Sequence, residues 1–287
     1  MGNNILVIGG TGNVGTPLVK LLKDSAENYK VLARSDESAA KLAAMGVPTL
    51  RGALGEWPGI KDALKGIDTV FLLSSPSPDM IDLHKGLIDR AVAAGVRKIV
   101  RLSAEPANFA EGLPMYEQHA EVDDYLRASG LEHVILRPHY FMQNIVEMHA
   151  GYMKDKGMFA QYLGDARIPM VDTRDVARVA FVSLTSDAFN GETHDITGPR
   201  AISYYDVANA FSKALGQDIQ YVPMSFEDQK AGLESLGLPD MITHTVMTLF
   251  KRWVDAGEQP VSPAYERMAG RKATDIDTFA ADVAQQF

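Results

Sequence analysis

The stretch Asn4-Ile5-Leu6-Val7-Ile8-Gly9-Gly10-Thr11-Gly12-Asn13-Val14-Gly15-Thr16-Pro17-Leu18-Val19 decides the fold. It opens with an apolar run of strand length, passes a glycine-rich loop, and ends in a helical pattern with Leu18, Val19, Leu21 and Leu22 on one face. Gly9, Gly12 and Gly15 stand in a G-x-x-G-x-x-G spacing. Such glycines permit a tight turn, close approach of a pyrophosphate to the backbone, and close helix–strand packing. The N-terminus of the following helix adds amides and a partial positive charge where phosphates would lie. Gly9, Thr11, Gly12, Asn13, Val14 and Gly15 are therefore expected to seat a dinucleotide, against the plainer reading of a glycine turn. An NTP-binding P-loop is excluded, because it ends in Gly-Lys-Ser/Thr and here Thr16 and Pro17 follow Gly15.

Working outward, short β-branched runs alternate with amphipathic stretches. Strands are expected at Asn4–Ile8, Lys30–Ala33, Pro48–Leu50, Thr69–Leu73, Lys98–Leu102 and His133–Leu136. Helices are expected at Thr16–Lys23, Glu37–Met45, Trp57–Leu64, from Asp79 to Ala94, and at Glu117–Ala128. That alternation predicts an α/β fold: a Rossmann-type parallel sheet with helices on both faces, strand order 3-2-1-4-5-6. After Pro138 the rhythm breaks, although Val176–Thr185 and Glu192–Ile196 look like one more sheet-covering helix and strand. From Ser225 onward the chain reads as helices broken by Gly237, Pro239, Gly257, Pro260 and Pro263. The expected organisation is a nucleotide-binding domain over 1–140, to which 171–197 returns, and a smaller, mainly helical substrate-side lobe from 141–170 and 198–287.

The end of the second strand selects the dinucleotide. An acidic residue there would take the ribose 2′-hydroxyl of NAD, whereas arginine accommodates the 2′-phosphate of NADP. Arg34 occupies that position, with Ser35 beside it as a second donor, so NADPH (NADP) is the expected cofactor. Asp36 and Glu37 follow, and a simple ion pair with Arg34 is the alternative. Ligands sit outside the carboxyl ends of parallel strands, which draws in Ser74-Ser75-Pro76, Ser103-Ala104-Glu105 and Pro138-His139-Tyr140.

Composition narrows the classes. The chain has 287 residues, 46% hydrophobic and 23% charged, which is globular. Cysteine is absent, so thiol catalysis, disulfides and iron–sulfur ligation are excluded. A net charge of −9 and no Lys/Arg-rich run argue against nucleic acid. No apolar run approaches the ~20 residues of a membrane span, and no targeting segment is legible, so no membrane partner and a cytoplasmic location are expected. The seven histidines form no H-E-x-x-H or facial-triad pattern, so no metal is expected. A Ser-His-Asp hydrolase would want G-x-S-x-G, which does not occur. Met142, Met148, Met153 and Met158 with Phe141, Tyr152, Phe159 and Tyr162 make an aromatic-rich stretch, part core and part suited to a flat ligand. Asp175 is read as an N-cap of the helix that follows it.

With these residues in view, the chain resembles the NmrA-like group of atypical short-chain dehydrogenase/reductases. The resemblance rests on Gly9–Gly15, Val31–Arg34, Leu136–Asn144, Val171–Ala177 and Ile196–Pro199, and covers nearly the whole chain. The group includes NAD(P)H-dependent quinone, azo-dye and triphenylmethane-dye reductases, and redox-sensing regulators that bind the cofactor without turning it over. The resemblance implies that Arg34 and Ser35 hold the adenosine end and that Ser74, Ser75 and Pro76 pass along the dinucleotide. It also implies that Pro138, Tyr140 and Phe141 lie near the nicotinamide, and that the stretch from Phe141 to Asn144 opens the acceptor pocket. Gly52 is followed by Ala53, where the group often has Gly-Asp.

Ordinary members of the superfamily use a Tyr-x-x-x-Lys pair, which is missing here: Met115 stands at the tyrosine position and His119 four residues on. His119, opening the helix, becomes the candidate catalytic group, oriented by Asp123 one turn later; a structural histidine is the alternative. The expected catalytic residues are His119 and Tyr140. Cofactor contacts are expected from the glycine loop, Arg34, Ser35, Ser74, Ser75, Pro76, Ser103, Pro138 and Phe141. Acceptor contacts are expected from Glu105, Phe141, Met142 and Asn144. The implied reaction is hydride transfer from NADPH to a flat aromatic or quinone-like small molecule, by a monomer or homodimer. A non-catalytic cofactor sensor, or an enzyme of other chemistry on the same scaffold, are the alternatives.

Overall fold

The structure, a computed structural model, describes residues 3–105 and 111–286. In chain order its elements are β1 (Asn4–Ile8), α1 (Gly15–Lys23), β2 (Asn28–Ala33), α2 (Asp36–Ala44), β3 (Thr49–Arg51), α3 (Trp57–Ala63) and β4 (Thr69–Leu72). There follow α4 (Met80–Ala94), β5 (Lys98–Leu102), α5 (Pro114–Ala128), β6 (Glu132–Pro138), α6 (Gln143–Lys156), β7 (Met158–Gln161), α7 (Thr173–Thr185) and β8 (Glu192–Ile196). The chain ends with α8 (Tyr204–Leu215), β9 (Gln220–Pro223), α9 (Phe226–Ser235), α10 (Asp240–Ala256), α11 (Ala264–Ala269) and α12 (Ile276–Val283). Two compact units result. The first comprises Met1–Asn108, Gln118–Pro138 and Thr173–Asp195; the second comprises Phe109–Glu117, His139–Asp172 and Ile196–Phe287.

The first unit is built on a seven-stranded sheet of order β3-β2-β1-β4-β5-β6-β8. The expected order is therefore present and is extended at one edge by β8. Ile5, Leu6 and Val7 on β1 are wholly buried, and successive side chains of a strand face opposite ways. Leu6 and Ile8 join Ile60, Leu87, Ile88, Val122 and Leu126 of α3, α4 and α5 in one apolar layer. On the other face Val19 of α1 meets Val7 and Val31, close enough that Gly10 between them has no room for a Cβ. Each fully buried aliphatic side chain contributes roughly 1.5–3 kcal/mol, so a β1 buried on both faces explains why its apolar run is continuous.

The second unit has its own core of Met142, Ile145, Met153, Phe159, Tyr204, Phe211, Phe250, Trp253 and Phe279 with their neighbours. It is mostly helical, but β7 and β9 pair in parallel, Met158 opposite Gln220 through Gln161 opposite Pro223. This pair adds a small sheet to the expected, mainly helical lobe. Each strand spans four residues and its partner is remote in sequence, so neither had a local pattern to reveal it. Two boundaries also shift. Helix α5 begins at Pro114, which places His119 in its second turn rather than at its opening. Helix α7 begins at Thr173, so Asp175 lies within the first turn and is not its N-cap. No helix among the described residues is long and apolar enough to cross a membrane.

Candidate active site

The glycine loop joins β1 to α1 at the carboxyl end of the first unit's sheet. Its glycines differ in what they are for. Gly9 has φ +84°, and a Cβ there would lie 2.7 Å from the carbonyl oxygen of Leu73. A Cβ on Gly15 would lie 2.0 Å from the carbonyl oxygen of Gly9. Both are demanded by the fold. A Cβ on Gly12 would meet only that same Gly9 oxygen, at 3.7 Å. Nothing among the described residues requires glycine at this exposed position. Helix α1 has no side-chain cap and no acidic residue in its first turn, which suits an anion at its N-terminus. The residues present thus fit a dinucleotide diphosphate. Val14 is buried, so its part in such a site is confined to its backbone.

Beyond β2, Arg34 is exposed and makes no ion pair among the described residues. Asp36, the competitor, pairs instead with Arg51 at 3.0 Å. Arg51 also donates to the carbonyl oxygen of Ala33 at 3.3 Å, placing a second guanidinium at the end of β2. From α2, Lys41 Nζ donates to the carbonyl oxygen of Thr11 at 2.8 Å. Neither Arg51 nor Lys41 had a sequence signal, since one is a strand end and the other a helix-face lysine. Ser35 N-caps α2: its Oγ accepts from the Ser38 amide at 3.2 Å and contacts Ser38 Oγ at 3.2 Å. Its hydroxyl is shared with this cap.

Under the ends of β4 and β5 lies a buried polar array. Ser74 Oγ is 2.8 Å from His84 Nε2 on α4, while Ser75 and Pro76 are exposed. Arg101 and Asp123, both with wholly buried side chains, form an ion pair. Asp123 Oδ2 also accepts from Arg137 Nε at 3.1 Å and Nη2 at 2.9 Å, and from Ser103 Oγ at 2.9 Å. Ser103 spends its amide on the Leu136 carbonyl as well, at 2.8 Å. Both its donors are used inside the protein, so Ser103 is corrected from cofactor contact to part of this array. His119 Nδ1 lies 3.1 Å from Arg101 Nη2. Arg101 thus stands at Nδ1 of His119, while the Asp123 carboxylate engages the two arginines and Ser103. Burial and the positive Arg101 hold His119 well below the ordinary imidazole range, and push His84 down to about 3.

Glu105 follows β5, its amide donating to the Pro138 carbonyl at 3.1 Å. Burial, and then the like charge of Asp195, push its carboxyl up to about 7. A group that holds its proton more tightly when folded favours folding at low pH, and that contribution is lost as pH rises from about 4.5 to about 7. Urea midpoints of Glu105→Gln should therefore fall less than those of the parent between about pH 5 and about pH 8. Parallel curves would return Glu105 to an ordinary carboxylate.

The second unit has an aromatic cluster of its own. Tyr140 meets Phe250 and Trp253 edge-on at 5.9 and 5.8 Å, and His139 stacks on Trp253 at 5.0 Å. Burial pushes the Tyr140 phenol up to about 12, and its hydroxyl donates to Met148 Sδ at 3.7 Å. It stays protonated at neutral pH. Phe141 is half-buried and bridges to Val171, and Asn144 is half-buried in the first turn of α6. Met142, 1% exposed, belongs to the core rather than to a pocket wall. Asp172, wholly buried, accepts from Gln143 Nε2 at 2.8 Å.

Set beside known proteins, residues 1–280 match the sequence profile of the NmrA-like family. An NAD(P)H azoreductase from Xenophilus azovorans is 31% identical over 276 residues, covering 96% of this chain and 96% of that protein. The NADPH complex of an Escherichia coli NADPH-dependent quinone oxidoreductase superposes with a TM-score of 0.85 at 24% identity, covering 97% of this chain and 99% of that one. The NADP(H) complex of Citrobacter sp. triphenylmethane reductase gives a TM-score of 0.85 at 20% identity, covering 98% and 99%. At those identities the two structural likenesses show the fold.

Proposed function

The chain belongs to the NmrA-like family, and we propose that it is an NADPH-dependent oxidoreductase passing hydride to a flat, conjugated acceptor such as a quinone or a dye-like compound. The observation that carries the reading is Gly12: a glycine that the fold does not need, exposed at an uncapped helix N-terminus. Around that loop stand Arg34, Arg51 and Lys41, cations suited to the extra phosphate that distinguishes NADPH from NADH. When bound, the cofactor supplies hydride from its nicotinamide. The NAD(P)H azoreductase relative, similar over nearly its whole length, supports an acceptor with a conjugated system.

The protein's own part is positioning and proton management. Gly9, Thr11, Gly12, Asn13, Val14 and Gly15 hold the diphosphate through backbone groups, and Arg34 with Arg51 takes the 2′-phosphate. Ser74, Ser75, Pro76 and Pro138 would line its course. Neutral His119 offers a polar contact, and Glu105, its carboxyl pushed up to about 7 by burial and Asp195, offers an acceptor contact. Tyr140, Phe141 and Asn144 present a flat, largely apolar surface to an aromatic ring, with Met142 behind it.

The test is NADPH oxidation followed with quinone and dye acceptors, in the parent and in Arg34→Gln. The parent is expected to turn over. Arg34→Gln is expected to raise KM for NADPH about ten-fold or more, ~1.4 kcal/mol, while leaving KM for NADH nearly unchanged. Equal losses with both cofactors would remove the 2′-phosphate role. No turnover with any such acceptor would sink the reductase reading.

A further inference from the structure

We propose that Arg101 is a positioning residue for this reaction, fixing the imidazole of His119 in the tautomer that carries its proton on Nε2; the proposal rests on the reductase reading above. Arg101 lies on β5 with its side chain wholly buried, and its Nη2 is 3.1 Å from His119 Nδ1. Its Nη1 reaches back to the carbonyl oxygen of His119 at 3.4 Å. A guanidinium has five N–H donors and no acceptor. The nitrogen facing it must therefore be the bare one, and the single proton of a neutral ring is left on Nε2.

The guanidinium cannot turn away, because Asp123 anchors it. That carboxylate receives Arg101 Nη1 on Oδ1, and Ser103 Oγ, Arg137 Nε and Arg137 Nη2 on Oδ2. Four donors thus hold the Asp123 carboxylate, three on Oδ2 and one on Oδ1, and fix its orientation toward the two arginines. The array holds two guanidinium charges against one carboxylate. Its surplus is positive, and a positive surplus opposes protonation of any imidazole beside it. Among the described residues, the charged and titratable groups that act on His119 include Arg101 from β5, Arg137 from β6 and His84 from α4, with Asp123 on its own helix. None of these supplies a negative charge that the arginines do not already consume.

The consequence is a histidine that donates a hydrogen bond without titrating. A neutral imidazole can polarise a carbonyl in that way without delivering its proton. In a short-chain dehydrogenase lacking the Tyr-x-x-x-Lys pair, such a donor supplies a fixed dipole, and the proton that completes reduction comes from another group. Arg101 is thus the residue that decides which kind of group His119 is.

The experiment is ring-nitrogen NMR of protein labelled with 15N-histidine, with the His119 signals assigned by their loss in His119→Gln. In the parent, Nδ1 is expected to be unprotonated and Nε2 protonated, with no change from about pH 5 to about pH 8. Titration of His119 in that range, or a proton on Nδ1, would overturn the proposal. In Arg101→Gln the ring is expected to lose its fixed tautomer, with both nitrogens sharing the proton, and to titrate higher than in the parent, because the neighbouring guanidinium is gone while burial remains. The same variant should lose kcat about ten-fold or more, with the KM for NADPH little changed. Arg101→Lys, still a pure donor, should keep the tautomer and recover part of kcat. A ring that stays fixed in Arg101→Gln would also overturn the proposal. Because the parent titration needs no substitution, the proposal can fail even if Arg101→Gln does not fold. A fixed tautomer together with no turnover of any acceptor would overturn the reductase reading alone.

Discussion

Gly12→Val should abolish NADPH binding and leave the fold intact. A side chain at this position meets only the Gly9 carbonyl oxygen, at 3.7 Å, and otherwise projects into open space. Thermal unfolding should therefore move by no more than about 3 °C. A branched side chain would stand where a diphosphate must approach the backbone amides, so affinity should fall about 100-fold or more, ~2.7 kcal/mol. Gly15→Ala is the contrasting control. Its new methyl group would lie 2.0 Å from a backbone oxygen, and that variant should lose stability before any question of binding arises. If Gly12→Val binds NADPH as the parent does, the loop is a turn and nothing more.

The second large effect is expected at Asp123. Removing this carboxylate leaves Arg101 and Arg137 buried without their counter-charge. Breaking a buried ion pair from one side costs about 3–5 kcal/mol, because the remaining charge keeps its desolvation penalty and loses its compensation. Asp123→Ala should show that loss in urea denaturation, as a lower midpoint with an unchanged slope. Adding Arg101→Met to it should recover part of the stability, since one stranded charge is then gone. A cost below about 1 kcal/mol would mean that the array is hydrated and that Asp123 holds nothing in place.

Much of the first unit was legible because its signals are local. The run Ile5–Ile8 is buried on both faces, as a continuous apolar strand must be. The glycines punctuate it where the backbone turns, and alternation with amphipathic helices determines the rest of the order. Arg34 was legible by position alone. What stayed hidden depends on side chains from distant elements meeting. Arg51 and Lys41 converge on the glycine loop and the end of β2 only once β3 and α2 are placed. The i,i+4 spacing of His119 and Asp123 suggested a pair, but Arg101 from β5 comes between their roles and takes both. Ser103 and Ser35 looked like exposed strand-end hydroxyls, and folding turns each to an intramolecular partner. Met142 had the chemistry of a pocket residue and proved to be core, because its place at the N-cap of α6, not its residue type, sets which way it faces. The β7–β9 pair is the extreme case, two short strands whose only evidence is each other.

The central claim is that the loop after β1, with the cations around it, seats a phosphorylated dinucleotide. Calorimetric titration of the purified chain with NADPH and, separately, with NADH tests it most directly. One NADPH should bind per chain, with a dissociation constant about ten-fold or more below that for NADH. Absence of heat with both nucleotides, or equal affinity for the two, would contradict it.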